Sequence, residues 1–372
     1  MKEGYKTLGE FIRQVDIRNT EGKEDNLLGV SVQKQFIPSI ANTVGTDFTK
    51  YKVVKKGQFT YIPDTSRRGD KIAIALLQDY EEGLVSNVYT VFEVIDEEKL
   101  LPEYLMLWFS RPEFDRYARF KSHGSVREVM DWDEMCKVEL PVPSIEKQRN
   151  IVKAYKAITD RIELKRRIND NLEAAMRALF EHFVVSNEAY DFDEAIDDKI
   201  DFINGLAMQN YRPEKDETPI PVIKIRELSQ GYCDENSEFC SNHIDKSHII
   251  QNGDLVFSWS GSLQASFWTS QTAGLNQHLF KVQSDEYPLW FVYEWVTFHL
   301  LNFQRIAENK GTTFGHIKRE DLHNAKIKSV GIDEINKLNN LFQPLLNTII
   351  ANSTELHSLM NYQRVLLARL SR

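Results

Sequence analysis

Residues 144–184, SIEKQRNIVKAYKAITDRIELKRRINDNLEAAMRALFEHFV, place apolar side chains at alternating steps of four and three. Ile151, Tyr155, Ile158 and Ile162 set the beat, and Leu172, Met176, Leu179 and Phe183 resume it. Lys165 and Asn169 occupy the same stripe between the two groups. Such spacing lines one face of a helix, and a sustained 3.5-residue beat is a coiled-coil seam. Ser144, after Pro143, is the expected N-cap, with Glu146 in the first turn. At 1.5 Å per residue the stretch makes a rod of about 60 Å, too long for an ordinary core helix.

The stretch occurs twice. Shifted by 187 residues, the seam returns as Leu338, Phe342, Leu345, Ile349, Asn352, Leu356, Leu359, Gln363, Leu366 and Leu370. The same shift carries Gly124-Ser125 onto Gly311-Thr312 and Trp108 onto Trp295. The chain therefore reads as a tandem duplication of a globular segment followed by a long helix, divided at 1–143, 144–184, 185–330 and 331–372. The expected fold class is α+β: two similar domains of mixed strands and helices, separated by two long antiparallel coiled-coil helices, with an internal pseudo-two-fold. Helices over 145–183 and 332–370 bury both seams if they pack against each other. Pro344 should kink or restart the second, and Lys165, Asn169 and Asn352 form a polar centre that fixes register.

In the first globular segment, 5–15 reads as a short opening helix or turn. GVSV, FIPS, YKVV, GQFTYIP, KIAIALL and NVYTVFEV read as strands, and 102–120 as a helix. In the second, PVIKI, GDLVFSWSGS and LNQHLFKV read as strands, and YPLWFVYEWVTFHLLNFQ as the helix matching 102–120. The 42% hydrophobic content of 372 residues supports two or three domains with real cores. Three cysteines give no disulfide framework and fit a reducing cytoplasm. No apolar run reaches membrane-spanning length and no signal peptide leads the chain, so a soluble cytoplasmic protein without membrane contact is expected.

A net charge of −9 argues against a simple non-specific DNA coater, although local patches matter more than totals. Cys233, Cys240, His243 and His248 imitate a metal site, but their C-x6-C spacing is poor for zinc. Asp64 with Glu97-x-Lys99 imitates a nuclease set, yet the latter sits in a charged turn. His-Glu-x-x-His and the phosphate loop G-x-x-x-x-G-K are absent, as is any Pro-Pro dipeptide of the amino-methyltransferase kind. No catalytic residue and no metal site is expected. Cations do cluster in the loop 64–71 and at the end of 102–121, and hydrogen-bonding and stacking groups gather near strand ends at 258–260 and 277–278. Amide and Arg side chains can pair two-point with a base edge.

Two globular units, each followed by a long helix, resemble the specificity (S) subunits of type I restriction–modification enzymes. The wording of LLGVSVQKQFIPS, TVGTDFTKYKVVKKGQFTYIP, GLVSNVYTVFEV, IPVIKIRELSQGYCDENSE, GDLVFSWSGS and GLNQHLFKV is similar to that of their target-recognition domains. GTTFGHIKREDL resembles the turn that closes such domains, and IELKRRINDNLEAAMRALF the central helix. Asn87, where a proline is expected, and Gly-Ser-Val-Arg at 124–127 depart from the pattern. The resemblance implies a non-catalytic subunit that reads a bipartite, gapped site in double-stranded DNA. Modification (M) subunits would bind S-adenosylmethionine and methylate adenine; restriction (R) subunits would use ATP and Mg to translocate and cut. No cofactor is expected in this chain. A related system whose partner fuses modification and cleavage is an alternative; a stand-alone nuclease or methyltransferase and a pure scaffold are others. The DNA contacts selected by chemistry are Arg67, Arg68, Lys71, Arg119, Lys121 and Arg127 in the first unit. In the second they are Lys224, Arg226, Ser258, Trp259, Ser260, Gln277, His278, Lys310, Thr312 and His316.

Overall fold

The structure is a computed structural model that describes residues 4–40, 43–65, 69, 71–122, 128–309 and 315–370. The chain forms two compact units, one of Met1–Asp160 with Tyr362–Arg372, the other of Arg161–Asn361.

The two units repeat one topology. In the first, a four-stranded antiparallel sheet runs in the order Ile12–Val15, Thr90–Val94, Phe59–Tyr61, Ile74–Leu76. In the second, Asp201–Asn204, Leu279–Gln283, Leu255–Ser258 and Ala265–Phe267 take the same order. A two-stranded ribbon accompanies each sheet: Tyr5–Thr7 with Glu139–Pro141, and Phe192–Ala195 with Lys326–Lys328. The second unit adds a sheet in which Ile220–Ile223 pairs in parallel with Ala273–Leu275. Aromatic rings fill both cores. Phe59 stacks on Phe92 at 4.8 Å with Phe109 edge-on, and Phe180 meets Trp295 edge-on at 5.0 Å.

Several local readings change. Residues 5–15 form a strand, one 3-10 turn (Leu8–Glu10) and a second strand, because Thr90–Val94 captures 12–15 as a sheet edge. The first-unit helix is two helices, Pro102–Phe109 and Pro112–Lys121. Pro112 forces Arg111 into an extended conformation (ψ 138°) and ends the first. Its counterpart lacks that proline and runs unbroken over Leu289–Asn309. LNQHLFKV splits into two strands around Asn276–His278.

The long helices, Ile145–Phe180 and Ile332–Arg369, pair antiparallel within each unit. In the first, Ile151 and Tyr155 share a core with Leu367 and Leu370, and Gln363 donates to Thr159 Oγ1 at 2.8 Å. In the second, Lys165 Nζ donates to Asn352 Oδ1 (2.6 Å), and Asn352 Nδ2 to Asn169 Oδ1 (2.9 Å). Asn169 Nδ2 then donates to Ser353 Oγ (2.9 Å), and Glu355 pairs with both Lys165 and Arg161. The polar centre thus exists, with both asparagines buried. Pro344 does not restart the helix. It lies on the exposed face with Asn340, whose orphaned carbonyl water can satisfy. Phe183 is not in the seam: a π-turn over Glu181–Val185 adds one residue to the turn, so Val184 is buried and Phe183 is exposed.

Helix Leu289–Asn309 buries one carboxyl, Glu294, which is 2% exposed. Burial raises its pKa from 4.5 to about 7; Arg177 opposes the shift and Glu173 adds to it. A carboxyl that binds its proton more tightly when folded stabilises below its unfolded value and loses that contribution as pH climbs through the folded one. Between pH 4.5 and 8 the loss is on the order of 3 kcal/mol. Glu294→Gln should remove this slope and leave the chain more stable than the parent at pH 8. Urea melts at pH 5 and pH 8 measure it, and an unchanged slope in the variant would refute the assignment.

Candidate nucleic-acid interface

In the second unit, the strand Leu255–Ser258 ends in a turn stitched to a distant segment. Ile317 N–H donates to Trp259 O (3.0 Å), Gly261 N–H donates to Gly315 O (2.9 Å), and Ser260 bridges His316. Gly315 is required here, since a Cβ would lie 2.5 Å from Ala307 O. The stitch gathers polar and aromatic side chains from four places in the sequence. The Trp259 ring lies 5.8 Å from His278 and 6.3 Å from His316, and its indole N–H donates to Asn204 Oδ1 at 3.2 Å. Ser260 Oγ lies 3.1 Å from His278 Nδ1, and Gln277 Nε2 lies 3.4 Å from His278 Nε2. His278 is exposed, while Trp259, Gln277 and His316 are half-buried.

The other described selections of the second unit make contacts within the protein. Ser258 is fully buried and donates to Ser262 O, shaping the turn from inside. Lys224 pairs with Glu238. Arg226 grips Asp234 through two nitrogens, each at 2.9 Å, and Ser237 at 3.1 Å. That grip holds the Asp234 carboxyl far below the usual carboxylate range, and ties helix Ile225–Gln230 to the turn after it. Lys310 and Thr312 lie outside the described residues. Arg319 escaped the sequence reading: its guanidinium lies 4.8 Å from the Phe280 ring and donates to Phe202 O at 2.6 Å.

The first unit carries the same stitch. Met130 N–H donates to Pro63 O (2.9 Å), Thr65 N–H donates to Glu128 O (3.1 Å), and Asp64 bridges Val129. The loop it closes contains exposed Lys71; Arg67, Arg68 and Arg127 lie outside the described residues. Arg119 pairs with Glu128, and Lys121 stands 3.9 Å from Glu134 and 6.0 Å from the Tyr117 ring centroid. The base of the loop is held by a pair that no local pattern announces. Lys34 Nζ donates to Asp115 Oδ1 (2.5 Å) and to Ile72 O (2.7 Å), while Asp115 Oδ1 also accepts from Ile72 N–H (3.2 Å). Burial lowers the pKa of Lys34 against the pull of Asp115.

The cysteines lie in separate cores, Cys233 with Ile223 and Trp268, Cys240 with Met208 and Val222. Among the described residues, only Asp197, Asp198 and His323 bring three ligand-type atoms within 4.8 Å, on the surface where His323 already pairs with Asp197. No helix among those residues is long and apolar enough to cross a membrane.

A family model for the type I restriction modification DNA specificity domain matches residues 9–174. The specificity subunit of the type I restriction enzyme MjaIX, from Methanocaldococcus jannaschii, is 24% identical over 305 residues, 74% of this chain and 70% of that protein. The chain is similar to the type I restriction enzyme specificity subunits. The EcoBI specificity subunit of Escherichia coli is 29% identical over 27% of this chain and 21% of its own length. The fold matches a crystal structure of the type I S subunit from M. genitalium with a TM-score of 0.58 at 12% identity, over 99% of this chain and 96% of that one. Both matches are to DNA specificity subunits or their domain, and they support a DNA-recognition role in a type I restriction–modification system.

The chain's two kinds of polar residue should separate on mutation. Arg226→Ala should lower the melting temperature and leave base preference unchanged, since its partners are internal. Gln277→Ala should relax one base position by roughly 1–3 kcal/mol with little change in stability. Paired melting and binding-site selection measurements decide; a shifted base preference in Arg226→Ala would reverse the assignment.

Proposed function

We propose that this chain is a specificity subunit that reads a bipartite, gapped site in double-stranded DNA, each globular unit taking one half. The observation that carries this reading is the stitched turn, built identically at 63–65/128–130 and 259–261/315–317 but decorated differently. One scaffold with two side-chain sets suits two half-sites of unlike sequence. Trp259, Ser260, Gln277, His278 and His316 contact bases and backbone in one half; the loop from Asp64 to Lys71, with Arg119, Lys121 and Arg127, serves the other. Lys224, Lys310 and Thr312 complete the proposed set, while Ser258 and Arg226 act through the turns they hold.

The chain performs no chemistry and needs no cofactor of its own. M subunits bring S-adenosylmethionine and methylate adenine, and R subunits bring ATP, Mg and cleavage. Phosphate contacts supplied by M subunits make a net charge of −9 tolerable, because affinity for the duplex is then shared. The complex works in the cytoplasm, on chromosomal and incoming DNA.

Replacing residues 1–143 with the corresponding domain of another specificity subunit should change one half of the methylated motif and preserve the other. Genome-wide methyladenine mapping in a strain carrying the hybrid reads the answer. Alteration of both halves would refute independent readout.

A further inference from the structure

In the first unit, a cavity of about 210 Å³ opens where the ribbon Tyr5–Thr7/Glu139–Pro141 meets the junction of the two helices. Tyr5, Trp108 and Tyr117 form aromatic walls, and Glu113 and Glu139 stand at the rim, both exposed. Arg111 supplies the polar group. It is 5% exposed, its guanidinium lies 4.1 Å from the Trp108 ring centroid, and its Nε–H meets no acceptor among the described residues. Glu113 stands 3.5 Å from Arg111 Nη2. A guanidinium so far from water and so poorly paired is costly.

The fold does not demand that cost. At the 187-residue shift Tyr5 becomes Phe192, Trp108 becomes Trp295 and Arg111 becomes Phe298. The ring pair keeps its geometry, 6.1 Å and 76° for Tyr5–Trp108 against 5.9 Å and 78° for Phe192–Trp295. In the second unit Phe298 simply packs on Phe192 and Trp295. The same junction is therefore built with an apolar ring in one repeat and with an under-satisfied cation beside a cavity in the other.

We propose that this cavity binds a single nucleobase, guanine best. A donor (Arg111) and an acceptor (Glu113) side by side match the adjacent acceptor and donor of a base edge. Arginine pairs two-point with O6 and N7 of guanine, and a carboxylate accepts from its ring and exocyclic N–H groups. The aromatic walls offer stacking faces. The rim carboxylates disfavour a simple anion, which distinguishes a base from a bare phosphate. At about 210 Å³ the space is smaller than the roughly 300–1,000 Å³ of drug-sized sites, so one ring system fills it. The base comes either from a free nucleotide or from an unpaired position in DNA. The cavity is separate from the stitched turn, so the inference stands apart from the recognition of the two-part site.

Calorimetric titration of the full chain with guanosine 5′-monophosphate tests the first source. The second is tested with two DNA duplexes that differ only by one unpaired guanine. Either GMP binds, or the bulged duplex binds more tightly than the paired one. In either case Glu113→Ala should weaken the response about tenfold. Arg111→Phe, copied from the sister repeat, should abolish it while folding with an undiminished melting temperature. A chain that neither binds GMP nor prefers the bulged duplex overturns the proposal. So does a preference that survives Arg111→Phe. If Arg111→Phe instead impaired only association with M subunits, the cavity would be a protein-docking site and the proposal would fail.

Discussion

The chain Lys165–Asn352–Asn169–Ser353 is the contact on which the helix pairing turns. Leucine and isoleucine seams are tolerant of sliding, because one apolar contact replaces another at little cost. Two buried amides that satisfy each other are not: any slip leaves donors and acceptors in a dry seam, at roughly 1–3 kcal/mol per orphaned group. Lys165 and Asn352 are also equivalent positions of the two repeats, 187 residues apart, so the register is set where the duplicated sequence meets itself.

The proposed recognition surface is organised by a different logic. The stitched turns consist of backbone hydrogen bonds, which place few demands on side-chain identity. Among the described residues of the two stitches, Gly315 is the one imposed by space. Side chains pointing away from the stitch are free to differ, and they do: Trp259, Ser260 and His316 stand where the first unit has Pro63, Asp64 and Val129. Ser258 braces the turn from inside in the second unit, and the Lys34–Asp115 pair anchors Ile72, at the end of the loop, in the first.

Periodic features were legible in the sequence. The heptad beat located both long helices, and the interruptions in it located Lys165, Asn169 and Asn352 as a facing polar centre. Most strands were legible as short β-branched and aromatic runs, and Trp108 and Trp295 marked the duplicated core. Illegible features depended on contacts between distant positions or on one-residue changes of winding. Phe183 fitted the beat, but the π-turn gave its place to Val184. Residues 5–15 had no strong pattern, and their strand exists because Thr90–Val94 needed an edge partner. The Ser258 hydroxyl suits a base contact, yet its burial depends on how the strand enters the sheet. Lys34 and Asp115 lie 81 residues apart with no periodic signal to join them.

The stitch also separates loop length from sheet geometry. Phe59 and Leu255 open equivalent strands at a separation of 196 residues, whereas the ribbons and helices hold to 187. Nine residues of difference have accumulated, and they are absorbed before Tyr104 and Phe291 enter their cores. A loop closed at its base by backbone bonds behaves like an eyelet: thread can be drawn out or taken in without moving the fabric. Such a chain can gain or lose reach one residue at a time, and each length remains compatible with the same two cores.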